Sequence, residues 1–262
     1  MRKYWTVFWV NWQNALQYRG PTFIYILGNI LRVSVLLYLW SAIYREEGRL
    51  GSYSLSDLIT YYLLQMLINN LVLSYSSWEI VDQIREGTFS NFLVRPVNYL
   101  HYWFTINLSW KLFEGLMIAV VGGLMSYFLV SHVSVPNHPV TLLYFVLALI
   151  LGGILAFEFD FAIGMLAFWL VQANAFKYML QYVVFFFAGA LLPLDLFPKA
   201  FQSITSVLPF RYLVFFPIEI FLEKEPHPAE GLIGAAVWAV ALYFFLQFVL
   251  RRGIARYEAV GQ

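Results

Sequence analysis

Hydrophobic positions in this chain do not alternate and rarely fall on a single helical face. They run in long unbroken blocks over 22–44, 55–76, 102–130, 141–171, 176–194 and 229–250. A hydrocarbon core of about 30 Å needs roughly 20 helical residues to cross it, so each block predicts a membrane span. Three segments depart from this pattern. At the start, Trp5, Phe8, Trp9, Trp12 and Leu16 recur at helical spacing until Gly20-Pro21, which is expected to break the run. An aromatic face of this kind favours the headgroup region, so residues 1–20 predict an interfacial helix lying on the membrane surface. It lacks an uninterrupted apolar core and a small-residue cleavage site, and is expected to stay on the chain rather than act as a signal peptide.

The second departure is IREGTFSNFLVRPVN, residues 84–98, a mixed-charge stretch between the second and third blocks. Ile80, Val81 and Ile84, then Phe89, Phe92 and Leu93, keep helical spacing on either side of Gly87. This predicts two short helical pieces around a glycine bend within a loop over 79–98, the second capped by Thr88 and stopped by Pro96. Between the fifth and sixth blocks, 195–228 is broken by Pro198, Pro209 and Pro217 and carries Arg211 and Glu219. It predicts short helices dipping into the outer interface and returning, not a seventh span.

Composition agrees with a membrane protein: of 262 residues, 61% are hydrophobic and 12% charged. A net charge of +1, with no basic stripe, gives no footprint for nucleic acid. Without cysteine there is no disulfide framework or thiolate metal site. Nine Lys and Arg residues, Arg2, Lys3, Arg19, Arg85, Arg95, Lys177, Arg251, Arg252 and Arg256, fall on the side of the termini. Five lie opposite: Arg45, Arg49, Lys199, Arg211 and Lys224. The excess predicts cytoplasmic N- and C-termini.

The stretch DQIREGTFSNFLVRPVN, the aromatic helix before the first span, and the punctuated LLPLDLFP…LPFRYLVFFPIEIF before the last resemble the permease subunits of type-2 ABC transporters. Within these, the closest resemblance is to a bacterial branch with paired permeases. The resemblance implies one transmembrane domain over 1–262, placed in a bacterial inner membrane. It implies an exporter that forms its path as a dimer with a second permease subunit, identical or paralogous. The loop at 84–98 then stands as the coupling helix that docks on a separate ATP-binding cassette ATPase. Carried over, Arg85, Glu86, Gly87, Phe89, Phe92, Leu93 and Arg95 become the expected contacts. No GxxxxGK[ST] motif occurs, so ATP and Mg are expected in the partner ATPase, with no cofactor in this chain.

Charges inside the blocks form the remaining candidates, because each costs about 2.5–3.5 kcal/mol at mid-membrane on insertion scales. Lys111 and Glu114 share a helix face and are expected to pair. Arg32 is expected to pair with Glu158 or Asp160, the other acid lining a polar path or a subunit seam. Gln65 and Asn69 share a face of the second span and are expected to hydrogen-bond between helices or extend the polar lining. Two other classes stand as alternatives: a proton-coupled secondary transporter using Glu158 or Asp160, and an intramembrane acid-base enzyme. There is no HExxH, GxSxG or metal-like cluster, so no catalytic residue and no metal site are assigned.

Overall fold

The computed structural model describes residues 2–17, 19–47, 51–129, 133–170 and 173–257, and these are helical almost throughout. In chain order the α-helices are α1 (Arg2–Gln17), α2 (Arg19–Glu47), α3 (Leu55–Leu71), α4 (Ser77–Arg85), α5 (Ser90–Leu93), α6 (Tyr99–Leu129), α7 (Pro139–Met165), α8 (Ala173–Phe187), α9 (Lys199–Val207), α10 (Phe215–Phe221) and α11 (Pro228–Arg256). Among the described residues, two helical runs, Pro139–Phe168 and Pro228–Arg256, are long and apolar enough to cross a membrane unbroken. At 30 and 29 residues they reach about 45 Å, and they pack against each other.

Several expectations shift in detail. Gly20-Pro21 does not break the chain: both residues lie in the opening turn of α2, where a missing amide costs nothing. The predicted surface helix α1 runs alongside α6: Tyr4 meets His101 edge-on and Trp12 meets Phe113 edge-on at 6.2 Å. Its aromatic side is therefore divided, with Trp12 and buried Ala15 turned inward and Trp5, Trp9 and Leu16 outward. The block at 55–76 is interrupted: α3 starts in a reciprocal Ser54–Asp57 capping box and stops at Leu71, and α4 resumes at Ser77. The block at 176–194 gives a 15-residue helix, about 22 Å long, ended by a turn in which Gly189 takes φ 79.

The proline-rich segment forms short pieces as expected. Pro198 precedes α9, Pro209 opens a 3-10 turn (Pro209–Leu213), and Pro217 lies in the first turn of α10. Polar residues collect at two poles. At one, Tyr53 Oη stands 2.9 Å from Asp195 and 2.8 Å from Glu219, while Lys224 pairs with Asp57 at 3.3 Å. Glu223 there accepts from the amides of Asn137 and His138, the Asn137 side chain and Thr141, closing the start of α7. Those donors, led by the Asn137 side chain, hold its carboxyl below the usual range. The other pole holds the elbow between α4 and α6.

Candidate functional site

The elbow turns at Gly87, whose φ of 79 suits a residue without Cβ. Phe89 follows and is buried: its ring packs against Tyr99, Phe168 and Tyr257 at centroid distances of 4.9, 5.2 and 5.0 Å. The expectation that Phe89 faces a docking partner is corrected, because this aromatic box absorbs the side chain. Phe92 is half-buried on Tyr99 and Tyr102, with the Arg95 guanidinium 5.4 Å from its ring centroid. Gly87 itself is buried. Arg85, Glu86, Leu93 and Arg95 are exposed, and so is Val94, at 84%, which the sequence reading passed over. Thr88 does not cap α5; its hydroxyl donates to the Gln83 carbonyl, while Ser90 Oγ donates to Gly87 O.

Four side chains hold this elbow in place. Tyr257, just beyond α11, donates to Gly87 O at 2.7 Å. Tyr4 Oη accepts from Asn98 N at 3.1 Å, and Lys3 donates to the Pro96 carbonyl. Tyr99 Oη donates to Gln83 Oε1 at 3.0 Å. The exposed tip is therefore an apolar point, Leu93–Val94, flanked by charges on a base that other helices immobilise.

At the far end of α4 lies Asp160. Its Oδ2 accepts from Ser77 N at 2.8 Å and Ser74 Oγ at 3.0 Å, and its Oδ1 accepts from Ser77 Oγ at 2.6 Å. The carboxylate thus caps α4 from a different helix and satisfies the orphan amide of the first turn. Close approach is possible because Gly164 faces α4; a Cβ there would lie 2.8 Å from Ile80 Cγ2. The expected ion pair of Arg32 with Glu158 or Asp160 is absent. Asp160 is occupied by α4, Glu158 Oε2 is buried without a partner, and Arg32 is exposed on α2, whose main neighbour is α3. No carboxylate lies within ion-pairing distance of Arg32 among the described residues.

Lys111 and Glu114 do meet, at 2.7 Å, and Lys111 also donates to Asn70 O. Gln65 and Asn69 are buried on α3 with Oε1 and Oδ1 unpaired, so hydrogen bonding between helices through those oxygens is not seen. Asp160 opens onto a cavity of about 320 Å³ between the α3–α4 junction, α7 and α8, lined also by Trp78, Phe159, Tyr178, Gln181 and Tyr182. Sequence reasoning missed Gln181, though a lone amide in the run QYVVFFF was a visible signal.

Long apolar helices, a proline-broken segment at one pole and a braced elbow at the other fit an integral membrane protein. The chain belongs to the ABC-2 transporter family: the profile described as "ABC-2 family transporter protein" matches residues 30–261. It is therefore a permease component of an ABC transporter, in a family whose members typically partner with an ATPase subunit. No curated protein matches the chain.

Proposed function

We propose that this chain is one of two permease subunits of an ATP-driven exporter, and that its elbow at 84–98 docks on the ATPase that drives it. Six crossings with cytoplasmic termini put the elbow inside the cell and the Tyr53–Asp195–Glu219 pole outside. ATP and Mg belong to the ATPase, and nucleotide-driven closure of its subunits reaches the permease as a push on the elbow. The observation that carries this reading is the exposed Leu93–Val94 tip on an immobilised base. Apolar side chains at 49% and 84% exposure amid charges favour burial in a partner, and the braced base passes displacement to α4, α6 and α11.

The dimer is supported by Arg32 and the α8 tyrosines. An exposed arginine within a span does not face lipid at low cost, and exposed Tyr178 and Tyr182 set α8 apart from the aliphatic and phenylalanine faces of α7 and α11. A second permease covering α2 and α8 would shelter them.

The test is a pull-down of the tagged chain from native membranes. Recovery of an ATPase in wild type, and its loss in Val94→Asp with α-helical content unchanged, is the expected outcome. Equal recovery with Val94→Asp and Leu93→Asp would remove the elbow from the interface.

A further inference from the structure

Tyr53 is fully buried, and its hydroxyl touches two other parts of the chain: Asp195 in the 3-10 turn Leu194–Leu196, and Glu219 on α10. The contacts measure 2.9 and 2.8 Å, yet a phenol carries one hydrogen and can fully donate to only one of them. With both acids ionised, the other contact would set oxygen against oxygen with no hydrogen between them. Among the described residues no cation fills that place. Lys224 is spent on Asp57 and on the Ser52 carbonyl, and Arg211 on Glu225. Of the remaining titratable neighbours, Tyr61 donates to Gly189 O, Glu223 is taken up at the start of α7, and His227 stands 3.7 Å from Glu230. α7 itself meets α10 through Phe145 and Ala148 against Phe216 and Ile220.

We propose that Tyr53, Asp195 and Glu219 form a pH-sensitive latch: a proton on Glu219 ties α10 and the 194–196 turn to the start of α3, and its loss releases them. Glu219 is the acid that holds the proton, because it is buried, whereas Asp195 is exposed and also takes Ser52 Oγ at 3.4 Å. The protonated Glu219 donates to Tyr53 Oη, and Tyr53 donates to Asp195. Burial, opposed by the bond from Tyr53 and reinforced by the Asp195 charge, raises the Glu219 carboxyl from 4.5 to about 7. A raised folded value makes the tie complete below about pH 4.5 and lost as pH rises through about 7. The latch goes beyond the permease reading, which supplies only the side of the membrane that delivers the proton.

Two readouts test it on the full chain in nanodiscs, with both faces in one buffer. Infrared difference spectra from about pH 5 to about pH 8 should show a protonated-carboxyl band that fades as pH rises and is missing from Glu219→Gln. Its midpoint should fall in Asp195→Asn, where Tyr53 is free to donate to an ionised Glu219. Hydrogen exchange, corrected for intrinsic rates, is read at Leu196, Phe197, Leu222 and Lys224, whose amides bond within the 3-10 turn and at the end of α10. Over the same range these amides should accelerate about ten-fold in wild type. They should stay slow in Glu219→Gln, whose amide donates to Tyr53 as the protonated acid does, with α11 level in both proteins. A wild-type spectrum without the band, a band that survives in Glu219→Gln, a midpoint unmoved by Asp195→Asn, or equal acceleration in wild type and Glu219→Gln would each overturn the latch. No ATPase or second permease enters these measurements, so their failure leaves the pull-down result on the elbow untouched.

Discussion

Replacing Asp160 separates capping from bulk packing. Its Oδ2 serves Ser77 N and Ser74 Oγ, and its Oδ1 serves Ser77 Oγ. Asn can keep its carbonyl oxygen at the first position and turn its amide to Ser77 Oγ, since a hydroxyl can reverse and accept. A backbone amide cannot reverse, so Ser77 N must keep an acceptor. Asp160→Asn should therefore cost about 1–2 kcal/mol, one charge-assisted bond weakened to a neutral one. Asp160→Leu removes the cap and strands buried donors, costing about 3–5 kcal/mol. Hydrogen exchange of the full chain in nanodiscs reads this locally, with each 1.4 kcal/mol worth about ten-fold in rate. Amides in the first turns of α4 should exchange more than a hundred-fold faster in Asp160→Leu and about ten-fold faster in Asp160→Asn, with α11 little changed. Equal rates in the two variants, or equal acceleration in α11, would refute capping across helices.

Phe89→Ala, which empties the aromatic box, should lower stability by about 3–5 kcal/mol in denaturant titrations, whereas Leu93→Asp should leave the unfolding midpoint unchanged while reducing ATPase recovery. Tyr257→Phe keeps the ring against Phe89 and loses the bond to Gly87, so a shift of about 0.5–1.5 kcal/mol is expected by the same titration. Glu223 has its folded pKa depressed below 4.5, so its contribution is complete above that value and is lost as pH falls through the lower folded value. Exchange at Asn137 and His138, corrected for intrinsic rates, should accelerate below about pH 4.5 in wild type and become pH-independent in Glu223→Gln.

Much of this architecture is legible in the linear pattern because helix formation in an apolar block is local: each backbone group must find its partner within the segment. The bend at Gly87, the proline-started pieces of the outer segment and the Lys111–Glu114 pair all follow from residues close in sequence. What escaped depends on residues far apart. The break at 72–76 lies in an apolar stretch, and the acceptor that caps the resumed helix arrives from Asp160, more than 80 positions on. That contact also explains why Arg32 finds no partner there. Phe89 looked like a surface residue because its box is assembled from α6, the 3-10 turn after α7 and Tyr257, none of which its own window reveals.

The bond from Tyr257 to the carbonyl of Gly87 has an implication for biogenesis. During synthesis the elbow emerges some 170 residues before the tyrosine that steadies it. A nascent permease therefore carries an elbow with one of its braces missing until its final helix is in place, so that a motor recognising only the fully braced form would engage finished chains and pass over truncated ones.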